Sequence, residues 1–416
     1  MKGFLDVFGG VRRGPVDVVL AATVIALLGF GVVMVYSASV VEATVVFRDP
    51  QYFLKKQAVY ALVGLLLVLG ISRIDYHRLR PYTYPILAVV TGLMVAVVIS
   101  GHSAGGAARW LRLGPVHVQP SEAVKLSLVL WLAYSLAKKQ ERIKTFSVGM
   151  LPHFLMAGVL MALCLLQPDF GSAVMLLLLT FTLLFAAGAR LGYLLGVAIL
   201  GALFAVWAVG TSSYRLARWM AWTNMDQHKA DLAYQPFQSV MSFGSGEATG
   251  LGLGQGLQVL YLPEAHTDFI SAIIGEELGF IGILCLCGAY LLIVSRGVKT
   301  ALEADDEYGS YIAFGISVLF GAQALINMAV AMSMLPTKGL TLPFISYGGS
   351  SLLVNAAAMG ILLAISRRPE GERNARTQAG PLPEASAMLV TEADYAPDAA
   401  RPERRRRAAA PAGATS

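Results

Sequence analysis

Apolar residues in this chain are gathered into blocks of about 17 to 25, the length of helix that spans a bilayer's hydrocarbon core, with short polar segments between them. Ten such blocks can be read, at 16–39, 56–72, 82–100, 121–137, 148–166, 171–189, 192–210, 269–295, 308–334 and 350–366. Each is too long for a strand and too continuously apolar for a helix with one face in water. The pattern predicts an all-α membrane protein: a polytopic bundle of about ten transmembrane helices with a large extracytoplasmic loop, 211–268, between spans 7 and 8. That loop is too long for a simple turn. It keeps Tyr214, Trp219, Trp222, Tyr234, Phe237, Phe243 and Tyr261, so it should pack as an ordered cap with helices lying in the interface.

Composition sharpens the picture. Of the 416 residues 56% are hydrophobic and 14% charged, against about 25% charged in an ordinary soluble domain, which excludes a soluble globular protein. A net charge of +6 would suggest nucleic acid in a soluble chain. Here the basic residues sit in short connections and in the tail, where they orient helices, and nucleic acid is discarded as a partner. With the N-terminus inside, the cytoplasmic connections carry Arg73, Arg78, Arg80, Lys138, Lys139, Arg142, Lys144, Arg190, Arg296 and Lys299 between spans, and the longer outer connections carry fewer. Both termini are therefore expected in the cytoplasm. Residues 1–15 form the cytoplasmic N-terminus, 16–368 the transmembrane domain, and 369–416, rich in Pro, Ala, Glu and Arg, a disordered cytoplasmic tail. Cys164, Cys285 and Cys287 fall inside apolar runs and form neither a disulfide framework nor a metal site.

Ionisable residues inside spans are costly, so each calls for a partner or a task. Glu122 and Lys125, three apart, share a helix face and can pair. Asp169, in the turn Gln167-Pro168-Asp169-Phe170-Gly171, is placed to cap the next helix. Asp268 stands at the start of the eighth span, where a helix cap and a catalytic base are both open readings. Counted along a continuous helix, Glu276 falls near the face of Asp268 and can line the same cavity, whereas Glu277 points away. Arg109, beside Trp110 in a Gly-rich outer loop, could anchor at the interface or hold a phosphate. The run Gly250 to Gly256 lacks the Lys-Ser/Thr of a P-loop and is weak evidence for a phosphate cradle. Gln323, Asn327 and Asn355 read as interhelical hydrogen-bond glue.

Taken as a set, these residues resemble the SEDS family (shape, elongation, division, sporulation), and its division branch more than its elongation branch. The resemblance is carried by Ala108-Arg109-Trp110, Gln119 to Leu126, Gln167 to Gly171, Leu262-Pro263-Glu264-Ala265-His266-Thr267-Asp268-Phe269, Gly275 to Gly279, Leu335 to Pro343 and Phe344 to Ser351. It spans about residues 16 to 368, with Gly105 and Ser271 as small departures from the family pattern. It implies a peptidoglycan glycosyltransferase that polymerises lipid II on the outer face of the bacterial cytoplasmic membrane, at the division septum. Its expected partners are the lipid II substrate, membrane lipid, a cognate class B penicillin-binding protein (an FtsI-like transpeptidase) and divisome regulators. The resemblance makes Asp268 the acid/base candidate. It places Arg109, Glu122, Lys125, Asp169, His266, Glu276 and Lys338 at substrate-binding or cavity positions, Arg109, Lys125 and Lys338 being cations for a pyrophosphate. A divalent cation, Mg or Mn, is compatible with the chemistry, with no ligands assigned. A lipid II flippase and a non-catalytic divisome scaffold are the competing readings.

Overall fold

Each of the ten apolar blocks coincides with a helix in the computed structural model, which describes residues 14–367 apart from 101, 105, 106, 114, 115 and 338. They are α1 (Val18–Phe47), α2 (Tyr52–Ile71), α3 (Thr83–Ser100), α4 (Pro120–Lys138), α5 (Leu151–Leu166), α6 (Phe170–Ala186) and α7 (Leu191–Gly210). Two helices of the long connection follow, α8 (Ser213–Thr223) and α9 (Tyr234–Gly246), then α10 (Ile270–Leu302), α11 (Glu307–Ala331) and α12 (Gly349–Ile365). Among the described residues six helices are long and apolar enough to cross a membrane; α6, α12 and most of α7 are shorter apolar helices. The expected tail and Lys338 lie outside the described residues.

Three helices outrun their apolar blocks, among them α10, which runs on past Arg296 and Lys299 to Leu302. α1 continues past Glu42 to Phe47, and α2 takes in Lys55 and Lys56 in its first turn. Charge ends a hydropathic block without ending a helix, because a terminal turn can carry its charged groups into the polar interface. The all-α expectation needs a larger amendment at the Gly-rich loop, which forms a three-stranded antiparallel sheet of β1 (His102–Ala104), β2 (Ala107–Leu113) and β3 (Val116–Val118). Ala104 faces Ala107 and Leu113 faces Val116, so only the pairs Gly105-Gly106 and Gly114-Pro115 stand between strands. Such pairs are turn formers, and Trp, Val and Leu between them suit a pleated surface.

The core is built on α10 and α11, which pack on each other, with α4 and α6 against α11, α9 and α1 against α10, and α12 against α2. The main contacts of α7 are with α6 and α8. α10 is broken at Gly279 (φ 65°, ψ −162°). In an unbroken helix the N–H groups of Phe280 and Ile281 would donate to the carbonyls of Glu276 and Glu277. Here they donate to Glu247 (2.9 Å) and Ala248 (3.2 Å), and the freed carbonyls of Glu276 and Glu277 accept from Leu251 (3.0 Å) and Gly252 (2.9 Å). A loop is thus spliced into the helix, and these four exchanged bonds satisfy the backbone groups the break exposes. Only glycine fits: a Cβ on Gly279 would stand 2.4 Å from the Gly250 nitrogen, and one on Gly250 would stand 2.2 Å from the Glu277 carbonyl oxygen. The glycine run serves this close backbone approach.

Candidate active site at the start of α10

The segment Leu262–Phe269 turns tightly before α10, with the N–H groups of Thr267, Asp268 and Phe269 all donating to the Glu264 carbonyl. Phe269 occupies the helix-cap position, and no side chain caps the helix there. The capping reading of Asp268 therefore fails on geometry. Its half-buried carboxylate instead lies 3.1 Å from the point where a Cβ on Gly339 would stand, with the Arg109 Nη1 3.6 Å from the same point. A side chain at 339 would separate the two groups. Burial, and next the charge of Glu264, push the Asp268 carboxyl up to about 7, with Asp169 adding to the rise and Arg109 and Arg218 opposing it. An ordinary aspartate would be ionised throughout the neutral range; this one titrates within it.

Three elements deliver the surrounding charges. β2 carries Arg109, whose Nε donates to the Gln167 carbonyl (3.3 Å) and whose Nη2 donates to the Pro168 carbonyl. These bonds fix the guanidinium through two of its nitrogens and leave Nη1 toward Asp268. Asp169 caps α6, accepting from the Ser172 N–H (3.0 Å) and the Ser172 hydroxyl (2.7 Å). α8 brings Arg218, whose Nη1 donates to the Thr337 carbonyl (3.4 Å), while Trp222 Nε1 donates to the Ser333 carbonyl (2.8 Å). Sequence reasoning gave Arg218 and Glu264 no role. The signal for Arg218 was its place on an amphipathic helix above the bundle; nothing local marks Glu264, which the turn itself brings near.

The other candidates divide. Lys125 Nζ donates to Glu122 at 2.8 Å with both side chains buried, so the pair closes within α4. The Ser351 hydroxyl donates to the other Glu122 oxygen (3.2 Å) and contacts the Thr341 hydroxyl (2.7 Å), linking the pair to the segment that also holds Gly339. Glu276 is engaged by the loop spliced into α10. Its carboxylate accepts the N–H groups of Leu257 (2.8 Å) and Gln258 (3.1 Å) and so pins the spliced loop. Asp268 precedes the helix, whose first residue is Ile270, so an angle counted between the two along a continuous helix does not apply. Glu277 accepts from the Ser37 hydroxyl of α1. His266 is buried between Phe53 (4.5 Å between rings) and Tyr347 (5.5 Å), with Nδ1 3.5 Å from Glu42. Burial holds it below the usual imidazole range, against the opposing charges of Glu42 and Glu264. Its contacts are those of a packing residue. Lys338 lies outside the described residues, between Thr337 and Gly339.

A polytopic helix bundle with a guanidinium-flanked aspartate at one end defines the class, and sequence comparison narrows it. Residues 18–370 match the cell cycle protein family of FtsW, RodA and SpoVE, and the chain belongs to that family. It is 48% identical over 358 residues to a Trichlorobacter lovleyi protein named "Probable peptidoglycan glycosyltransferase FtsW", covering 85% of this chain and 94% of that one. The same name is carried by a Legionella pneumophila relative, 39% identical over 83% of this chain and 89% of its own length. Among solved structures, a chain from a study of polymerization and crosslinking by a peptidoglycan synthase complex superposes with a TM-score of 0.70 at 29% identity, covering 84% of this chain and 97% of that one. The rod shape determining protein RodA of Thermus thermophilus superposes with a TM-score of 0.62 at 29% identity, covering 84% and 96%.

Proposed function

We propose that this protein is a peptidoglycan glycosyltransferase that polymerises lipid II at the division septum, with Asp268 as general base. The observation that carries the site assignment is an aspartate released from helix capping, tuned to about 7 and faced by the Arg109 guanidinium. The relatives' names and the synthase-complex likeness supply the reaction class. In that reaction the 4-hydroxyl of one substrate's glucosamine attacks C1 of the muramyl sugar of the next. The O4–C1 bond forms, the bond from C1 to the lipid pyrophosphate breaks, and its electron pair leaves with the pyrophosphate. Asp268 takes the hydroxyl proton as that oxygen bonds, a role best filled by a base whose pKa lies near the working pH. Arg109 then faces the charge that grows on the leaving group. The buried Lys125–Glu122 pair serves as a support below this site, through Ser351 and Thr341.

The isoprenoid stays in the bilayer and the sugars stay in water, so the site is placed at the outer leaflet, open sideways between helices. All ten helices then cross the bacterial inner membrane, both termini are cytoplasmic, and 211–268 is the outer connection. The expected partner is a class B penicillin-binding protein that cross-links the glycan; divisome regulators would act on the same assembly. Among the described residues no three His, Cys, Asp or Glu side chains cluster to hold an ion. Asp169 already spends both oxygens on Ser172. Purified protein given lipid II should make glycan polymer, and Asp268→Asn should slow it at least about a hundredfold while leaving insertion intact. Translocation of lipid II without polymer would establish the flippase reading. A silent Asp268→Asn would remove the base.

A further inference from the structure

We propose that Asn327, on α11, is the positioning residue that holds Asp268 in its reactive place. Resting on the reading above, this role goes beyond it, because Asn327 bonds the backbone carbonyl of Asp268 and not its carboxylate. Its side-chain amide donates from Nδ2 to the backbone carbonyl of Asp268 (2.9 Å) and to that of Leu340 (2.6 Å). Its Oδ1 accepts from the Ser271 hydroxyl (3.1 Å). The amide cannot be turned the other way, since carbonyls only accept and two of them face Nδ2. Both donors and the carbonyl oxygen are thereby used, in a residue only 2% exposed.

The three partners belong to the parts that compose the site. Asp268 is the base, Ser271 lies in the first turn of the helix that follows it, and Leu340 adjoins Gly339, the residue over which Asp268 and Arg109 meet. One rigid amide on the buried helix α11 thus sets the distance between the segment bearing the base and the segment over which base and cation converge. Ser271, a departure from the family pattern, packs the first turn of α10 by joining this clamp. Generic interhelical glue would bind helix to helix; the two Nδ2 bonds instead bind a helix to two segments outside regular secondary structure, and only the Ser271 bond joins two helices. A misplacement of about 1 Å at such a site can cost on the order of a hundredfold in rate.

The test is polymerisation of lipid II by the full-length protein, read as kcat and KM across pH 5.5 to 8.5, for wild type, Asn327→Ala, Ser271→Ala and Asp268→Asn. Asn327→Ala should lower kcat by about 10- to 100-fold with KM little changed. Its pH midpoint should move down, because a loosened Asp268 gains water and loses the burial that raises it. The groups facing Asp268 that could also shift the midpoint are Glu264, Arg109, Asp169 and Arg218, all unchanged in these variants. Ser271→Ala keeps both Nδ2 bonds and should shift the midpoint the same way by less. A kcat loss with an unmoved midpoint overturns the proposal, since a partly misfolded population lowers the rate without changing the titration. Near-normal kinetics overturns it too. If Asn327→Ala does not insert, Asn327→Ser, which keeps one donor for the two carbonyls, carries the same comparison. A fully active Asp268→Asn would instead refute the base assignment.

Discussion

Removing the ammonium of Lys125 should destabilise the bundle by about 3 kcal/mol, the lower end of the roughly 3–5 kcal/mol found when one partner of a buried ion pair is deleted. The lower end applies because Glu122 is not left bare: the Ser351 hydroxyl still donates to it at 3.2 Å. The upper end would apply if that hydroxyl turned its proton to the Thr341 hydroxyl, 2.7 Å away; from Asn355 Nδ2 (3.3 Å) it only accepts. At about 2 °C per kcal/mol for a large domain, Lys125→Ala should lower the apparent melting temperature in detergent by about 6 °C. The double variant Glu122→Gln/Lys125→Met removes both charges, and should recover most of that loss because no uncompensated ion remains. Glu276→Ala combined with Lys125→Ala should be additive within about 0.5 kcal/mol, since the two side chains have separate partners. A fall below about 2 °C for Lys125→Ala, or stronger coupling to Glu276 than to Glu122, would refute the pairing within α4.

The remaining expectations are briefer. Polymerisation should rise with pH through about 7, because the base works only when deprotonated, and fall about tenfold per unit below it; a flat profile from pH 5.5 to 8 would rule out Asp268 as the titrating group. Gly279→Ala should straighten or unseat the break in α10, since its Cβ would stand 2.4 Å from the Gly250 nitrogen at a positive φ; unchanged protease sensitivity of the 247–258 loop would show that the splice tolerates a side chain. Cysteines placed at Gln227 and Glu303 should label from opposite faces of the membrane, and labelling from one face would overturn the proposed crossing of α10. Truncation after Arg376 should leave polymerisation by purified protein nearly unchanged, and an inactive but folded truncation would assign the tail a part in the active state.

Legibility in the sequence tracked how local each determinant was. Helices were readable because a bilayer-length apolar block constrains its own backbone: every N–H and C=O in hydrocarbon must bond within the segment. The Lys125–Glu122 pair was readable for the same reason, since i and i+3 on one helix are neighbours whatever surrounds them. The partners of Glu276 were not readable, because they are the N–H groups of Leu257 and Gln258 in a separate loop, and the helix on which its angle was counted does not extend back to Asp268. The glycine run looked like a weak ligand motif; its partner is the backbone of α10, which no spacing within 250–256 encodes. Asp268 is the clearest case. An aspartate just before a helix satisfies the pattern for a cap and for a base alike, and three distant contributions separate them: the turn onto Glu264 that moves the cap position to Phe269, the Asn327 amide on its carbonyl, and the Gly339 backbone that lets Arg109 approach. Each comes from a different part of the chain. A residue whose chemistry depends on being denied its usual local partner can be recognised only once the segments that deny it are in place.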